Sequence, residues 1–395
     1  MKMKGLIKVF WCTVLILATS ILPAQKIYYP DTKPTVPLKD LPVEEINKIF
    51  LEVNIKLKRA ELDKLTEEVA TKLNGVMLVQ QGDIVIEKLA QGYTRLDQKT
   101  KANEITELTS FDLASVSKQF TAAAVLQLVV KGKLSLKDTL RKFFPELPYS
   151  DITIHQMLTH TSGLPEYFNF SEALFDRSKL MSNEDLVEVL VREKPAIAFL
   201  PGHNFIYTNT NYALLVLIVE KVSGMPFEEY AEKNIFKPAG MTHTFYITQR
   251  EEKIKQKYSI ALGHENTKGP LKEHFMDGTI GDKGLYSCME DLILWKKAFF
   301  DTYKILPKAW VKRATSPQNN LVTGTEPSKP YGYGWRLEDN ETLGMLVYHG
   351  GLWHGFVHVE LYDPISDIYI LFLSNLRNGA HRGRTNQILQ ILNGA

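Results

Sequence analysis

Ser115 and Lys118 form the only pair in the chain in which a serine precedes a lysine by three positions, and that spacing can make a nucleophile. A serine hydroxyl is too weakly acidic to attack a carbonyl at neutral pH unless a base lies within hydrogen-bonding reach. Residues i and i+3 share a helix face, with Cβ atoms about 5–6 Å apart, and burial makes a lysine release its proton more readily. Ser115 is therefore the candidate nucleophile and Lys118 the candidate base. A chain of this length would hold roughly one such pair by accident, so the surroundings must decide.

A base needs its own partner, and Tyr207-Thr208-Asn209 offers one. A tyrosine hydroxyl beside an ammonium can take the serine's proton and return it to the leaving group. Asn209 both donates and accepts, so it could orient Lys118 and bind a substrate carbonyl. Tyr167-Phe168-Asn169 fits the same template, which makes Tyr-x-Asn weak by itself; Tyr167 and Asn169 are expected at the rim of a cleft.

Context separates the two. The run 201–215, from Pro201-Gly202 through Tyr207-Thr208-Asn209 to Leu215, resembles the second signature of the penicillin-recognising serine hydrolases: class C β-lactamases, DD-peptidases and related esterases. Phe111-Asp112-Leu113-Ala114-Ser115-Val116-Ser117-Lys118 is similar to their nucleophile motif, 152–164 to a structural segment containing His160-Thr161-Ser162-Gly163, and Gly284-Leu285-Tyr286-Ser287 to a later turn. In order and spacing the resemblance runs from about Gly75 to Asn375. It implies a covalent acyl-enzyme, with Ser115 attacking and Lys118 and Tyr207 moving the proton. Among known signatures, Ser-x-x-Lys is accompanied by Ser-Asp-Asn and Lys-Thr-Gly; here Tyr207-Thr208-Asn209 stands for the second, and His349-Gly350-Gly351 takes the place of the third.

That replacement bears on substrate. By resemblance the oxyanion donors are the backbone N–H groups of Ser115 and Leu352, while Gly350 and Gly351 leave room along the strand and His349 tunes or orients the centre. Relatives that act on β-lactams or D-Ala-D-Ala ends present a hydroxyl at the middle or following position of this motif, where this chain has Gly350 and Leu352, and no obvious lysine replaces it. An ester, or an amide without a free carboxylate at that point, is the expected substrate. A DD-peptidase or β-lactamase is the alternative, and a catalytically silent binding protein of the same fold is a third reading. There is no Gly-x-Ser-x-Gly elbow and no His-Glu-x-x-His, and neither metal nor cofactor is implied.

These residues need a scaffold. Apolar positions at three-and-four spacing from Val43 to Leu73 predict an amphipathic helix, and Gly75–Gln80 and Ile84–Leu89 around Gln81-Gly82-Asp83 predict a hairpin. Leu113 to Lys131 predicts an apolar helix carrying Ser115 and Lys118, and about 134–283 is mainly helical. Strands are expected at Gly334–Leu337, Met345–His349, Phe356–Tyr362 and Ile368–Ser374, with a closing helix at Thr385–Leu392. The fold class is α+β: one antiparallel sheet built from both chain ends (about 43–133 and 284–395), flanked by helices, with a helical insertion and the active site between. It is the β-lactamase/transpeptidase-like arrangement that the resemblance implies.

The chain has 395 residues, 44% hydrophobic, with 47 basic and 45 acidic side chains spread along it, so it can bury a large core and lacks the basic clustering of a nucleic-acid binder. Lys2, Lys4 and Lys8 precede an uncharged run from Val9 to Gln25, which predicts a secretory signal over 1–24 and a protein that is periplasmic or secreted. An uncleaved anchor is the alternative, although spanning needs about 20 apolar residues. Residues 25–42, punctuated by prolines, form an expected linker, and 43–395 the hydrolase domain. Cleavage would remove Cys12 and leave Cys288, expected as a small buried hydrophobe. The expected partner is a small-molecule or peptide substrate, with no nucleic acid and no membrane beyond the signal segment.

Overall fold

The computed structural model describes residues 42–149, 151–319, 322–323, 326–327, 330–381 and 383–393. The expected signal, 1–24, and the linker, 25–42 except Pro42, lie outside them. Helix α1 (Val43–Ala70) belongs by its first part to a unit ending at Arg59, and by its last part to the unit Ala60–Ala395, which holds every other element. No described helix is long and apolar enough to cross a membrane.

Strands from the two ends of the chain meet in one sheet. β1 (Gly75–Gln81) and β2 (Ile84–Gln91) form the expected hairpin, turning through Gly82 at φ 57°. β8 (Arg336–Asn340), β9 (Gly344–Trp353), β10 (Phe356–Asp363) and β11 (Ile368–Ser374) complete a six-stranded antiparallel sheet of order β2-β1-β11-β10-β9-β8. β1 pairs with β11 from Gly75↔Ser374 to Gln81↔Ile368. Every residue of β11 is buried, which is why it reads as an unbroken apolar run: such runs mark strands covered on both faces. Helix α6 (Met289–Lys296) packs on β1 and β11, and helix α7 (Arg384–Asn393) is joined to Glu68 of α1 through Arg384, 3.0 Å.

Helix α2 (Lys118–Val130) is buried at every position from Lys118 to Leu128; a helix apolar all round belongs in a core. It packs against helix α5 (Thr210–Ser223), which helices α3 (Ile154–Leu158) and α4 (Asn183–Glu193) flank. A continuous apolar cluster links these helices to the inner face of the sheet.

The structure differs from expectation in four places. Residues Ala114–Ser117 form a 3-10 turn, so the α-helix begins at Lys118 and not at Leu113. β9 continues through the glycines to Trp353 instead of stopping at His349. A small second sheet, β3 (Phe111–Asp112), β5 (Leu285–Ser287) and β4 (Phe245–Tyr246) in the order β3-β5-β4, has strands too short to show alternation. Helices α6 and Lys308–Ala314 precede the late strands, in a stretch to which the sequence reading assigned no element, and β6 (Val322–Thr323) pairs with β7 (Glu326–Pro327).

Candidate active site

The nucleophile turn is held from behind. β3 pairs with β5, and the chain then turns through Ala114 at φ 49°, a left-handed conformation uncommon for a residue with a Cβ. The Asp112 carboxylate stabilises it by accepting the N–H groups of Ala114 (2.8 Å) and Gly284 (3.3 Å). Burial raises this carboxyl to about 7. Lys118 is fully buried, and its Nζ donates to Ser115 Oγ (3.2 Å), Asn209 Oδ1 (2.7 Å) and the Asp282 carbonyl (2.8 Å). Three donors meet three acceptors, so the buried group is satisfied without an ion pair.

The segment 206–212 lies in a cast made by 158–167. Ile206 N–H donates to the His160 carbonyl (3.1 Å), Thr208 N–H to His160 Nδ1 (3.1 Å), Asn209 N–H to Glu166 Oε2 (2.7 Å) and Tyr212 Oη–H to the Leu158 carbonyl (2.9 Å). In the other direction Tyr167 N–H donates to Thr210 Oγ1 (2.9 Å), and Ser162 Oγ to Asn211 Oδ1 (2.7 Å). The Tyr207 hydroxyl is buried and, like Thr208 Oγ1 and His160 Nε2, has no hydrogen-bond partner among the described residues. Its ring stacks on His160 at 4.2 Å, with the Arg336 guanidinium 4.5 Å and Lys118 Nζ 4.9 Å from its centroid. His160 thus supports Tyr207 as well as the turn that follows it.

β9 forms the third wall. β8 pairs with it only as far as Arg336↔Tyr348, so from His349 onward that edge is open. A two-residue turn, His354 (φ 43°) and Gly355 (φ 86°), joins Trp353 to Phe356. Residues flanking such a turn exchange both hydrogen bonds, and alternation then directs the N–H of Leu352 away from β10 to the open edge. His349 is buried; its Nδ1–H donates to the Gly350 carbonyl (2.8 Å) and its Nε2 accepts from Tyr331 Oη (3.1 Å). Burial, and then the charges of Arg336 and Lys118, hold its pKa well below the ordinary value. A Cβ on Gly351 would come within 2.4 Å of the Leu113 carbonyl and 2.9 Å of the His358 ring, whereas one on Gly350 would meet nothing nearer than 3.6 Å. Gly351 therefore serves the packing of the nucleophile turn, not substrate approach as expected.

Ser115, Lys118, Tyr207, Asn209 and His349 all converge, and Gly350, Gly351 and Leu352 extend the strand beside them. Tyr167 does not line a rim: it is fully buried, with its hydroxyl on Thr279 (2.8 Å) and Asp282 (3.1 Å). Three neighbours of the site escaped the sequence reading. Glu166 follows the recognised segment by two residues, Asp282 contributes a main-chain carbonyl, and Arg336 is a lone cation between apolar strand residues; only the last carries a sequence signal.

Residues 62–393 match the family model described as Beta-lactamase. The chain belongs to the beta-lactamase family. Among relatives of this family, Penicillin-binding protein 4* of Bacillus subtilis (strain 168) is 32% identical over 80% of the chain and 72% of its own length. Protein flp of Staphylococcus aureus (strain MW2) is 29% identical over 77% of the chain, which spans only 59% of that relative. Among solved structures, a penicillin binding protein from Bacillus halodurans superposes with a TM-score of 0.70 at 27% identity, covering 84% of this chain and 98% of that one. The D-amino acid amidase from Ochrobactrum anthropi SV3 shares the fold at a TM-score of 0.68 and 22% identity, over 87% of this chain and 97% of its own.

Proposed function

We propose that the chain is an exported serine hydrolase that acts through an acyl-enzyme on an ester or amide. The observation that carries this is Lys118 Nζ, which bridges Ser115 Oγ and Asn209 Oδ1 beside an unpartnered Tyr207 hydroxyl. A solvated helix lysine has no need of that burial, and a pure binder has no need of all three groups. With Lys118 as the free amine, which still donates to Asn209 Oδ1 and the Asp282 carbonyl, Ser115 Oγ bonds to the substrate carbonyl carbon while its proton passes to Nζ and on through Tyr207. Tyr207, whose hydroxyl has no partner of its own, returns the proton to the leaving group as that bond breaks. Water then repeats the sequence and frees the acid. The oxyanion is met by the N–H of Leu352 at the open edge and of Ser115, in a first turn where N–H groups lack helical acceptors. His349, neutral and fixed by Tyr331, orients the centre and does not exchange the proton.

Arg336 favours a second reading. Among the described residues no carboxylate pairs with it, and it lies against Tyr207. A cation there supplies what Gly350 and Leu352 cannot, a partner for a substrate carboxylate, and so supports a peptidase acting on peptides with a free C-terminus. Steady-state turnover separates the two. Short-chain p-nitrophenyl esters cleaved well, with nitrocefin slow, fit the first reading; rapid nitrocefin turnover with no esterase action contradicts it, and a loss of that turnover in Arg336→Ala establishes the second.

A further inference from the structure

We propose that Glu166 is a positioning residue of this centre: its carboxylate fixes the Asn209 amide so that Oδ1, and not Nδ2, meets Lys118. The inference rests on the serine-hydrolase reading above. The two ends of a side-chain amide have nearly the same shape and opposite hydrogen-bonding character. A half-turn of the Asn209 amide would set an N–H donor against the ammonium donors of Lys118 and dissolve the bridge to Ser115. An ionised carboxylate only accepts, and Glu166 Oε2 accepts both the main-chain N–H (2.7 Å) and the Nδ2–H (3.1 Å) of Asn209. Only one orientation of the amide satisfies Glu166 and Lys118 together.

Glu166 is itself held firmly. The Pro165 carbonyl accepts from Thr210 Oγ1 (2.6 Å), and Tyr167 N–H donates to the same oxygen (2.9 Å), so the residues on both sides are tied to the first residue of α5. Oε1 accepts the N–H of Phe168 (3.4 Å). The charges that face it are Lys118 and Asp282, and no lysine or arginine forms an ion pair with it among the described residues. Burial raises its pKa. A carboxyl raised on folding favours the protonated form, so its contribution to stability is present below the unfolded value and lost as pH rises through the folded one. The ionised form therefore opposes folding, as expected of a residue kept for function.

The test compares Glu166→Ala and Glu166→Gln with the full chain, reading the rate of Ser115 labelling by a fluorophosphonate from pH 4 to 8 and the melting temperature. Alanine frees the amide and slows labelling by about 100-fold, the scale of a misplaced reacting group. Glutamine can set its own Oε1 under both donors; it retains most of the neutral-pH rate and melts no lower than wild type at pH 8. Equal labelling of wild type and Glu166→Ala overturns the inference. If the alanine variant does not fold, Glu166→Met decides, since it keeps the length of the side chain and removes the acceptor: labelling as fast as wild type overturns the inference. A wild type unlabelled at Ser115 overturns the hydrolase reading and this one with it, whereas a labelled wild type with indifferent variants removes Glu166 alone.

Discussion

At the scale of single residues, the structure divides the polar groups of the site into those that are satisfied and a few that are not, the Tyr207 hydroxyl among them with His160 Nε2, Thr208 Oγ1 and Asp282 Oδ1. Lys118, Asn209 and His349 bond to named partners, while the Tyr207 hydroxyl has none among the described residues. Of the unpartnered groups the phenol is the one that can carry a proton, and the proposed reading gives Tyr207 that role. Tyr207→Phe is expected to keep the fold, since it removes an unbonded oxygen, and to lower kcat by about 10²–10⁴-fold, measured with an activated ester. His349→Gln is expected to reduce kcat/KM while leaving the profile above pH 6 unchanged in shape, because the histidine is already neutral there. Ser115 and Lys118 were singled out by type and spacing, Tyr207 and His349 by the family resemblance, and the fold brings the four side chains together. Glu166 was not singled out: its role depends on a bond to Asn209 across 43 residues, and a glutamate after a proline carries no local signal. Arg336 was visible as a charge but not as a neighbour of Tyr207.

At the scale of elements, two close approaches set the geometry. The cast of 158–167 holds Tyr207 and Asn209, and β9 packs directly on the nucleophile turn. His358 on β10 fastens the same turn from beneath, its Nε2–H donating to the Asp112 carbonyl (2.6 Å) while Nδ1 accepts from Ser374 N–H (3.2 Å). The two glycines of β9 should therefore respond differently. Gly351→Ala drives a methyl into the Leu113 carbonyl and is expected to lower stability by about 1–3 kcal/mol and to depress acylation strongly. Gly350→Ala finds space and keeps the wild-type melting temperature; thermal melts and esterase rates on the two variants check this. Sequence periodicity marked β9 only to His349, because two glycines interrupt the apolar alternation that identifies a strand. The 3-10 turn at Ala114–Ser117 was read as helix because its apolar spacing runs straight into α2, and only the Asp112 bonds show why the chain turns first.

At the scale of the whole molecule, the sheet from both chain ends was legible, since β1 and β11 are mostly apolar and the hairpins carry their own turn residues. The short sheet β3-β5-β4 was hidden, being made by contacts between distant segments. The interior also holds carboxyls that affect stability. Glu360 accepts from Gln119 Nε2 (2.5 Å) and Tyr369 Oη (3.0 Å), and burial raises it, like Asp112, to about 7. Raised carboxyls contribute stability below about pH 4 that is lost as pH rises through about 7. His358, lowered by burial to about 3, acts in the opposite sense and loses its contribution as pH falls from about 6.5 towards 3. Glu360→Gln, whose amide can donate to the Tyr369 oxygen, is expected to raise the melting temperature at pH 8 by about 2–4 °C and to give no gain at pH 5. The central claim, that this fold brings Ser115 to an activated state, is tested most directly by intact-protein and peptide mass spectrometry after exposure to a fluorophosphonate. One adduct on Ser115, absent from Ser115→Ala and strongly slowed in Lys118→Ala, is the predicted result; no adduct on wild type with the site shown to be accessible, or an adduct on another residue, would contradict it.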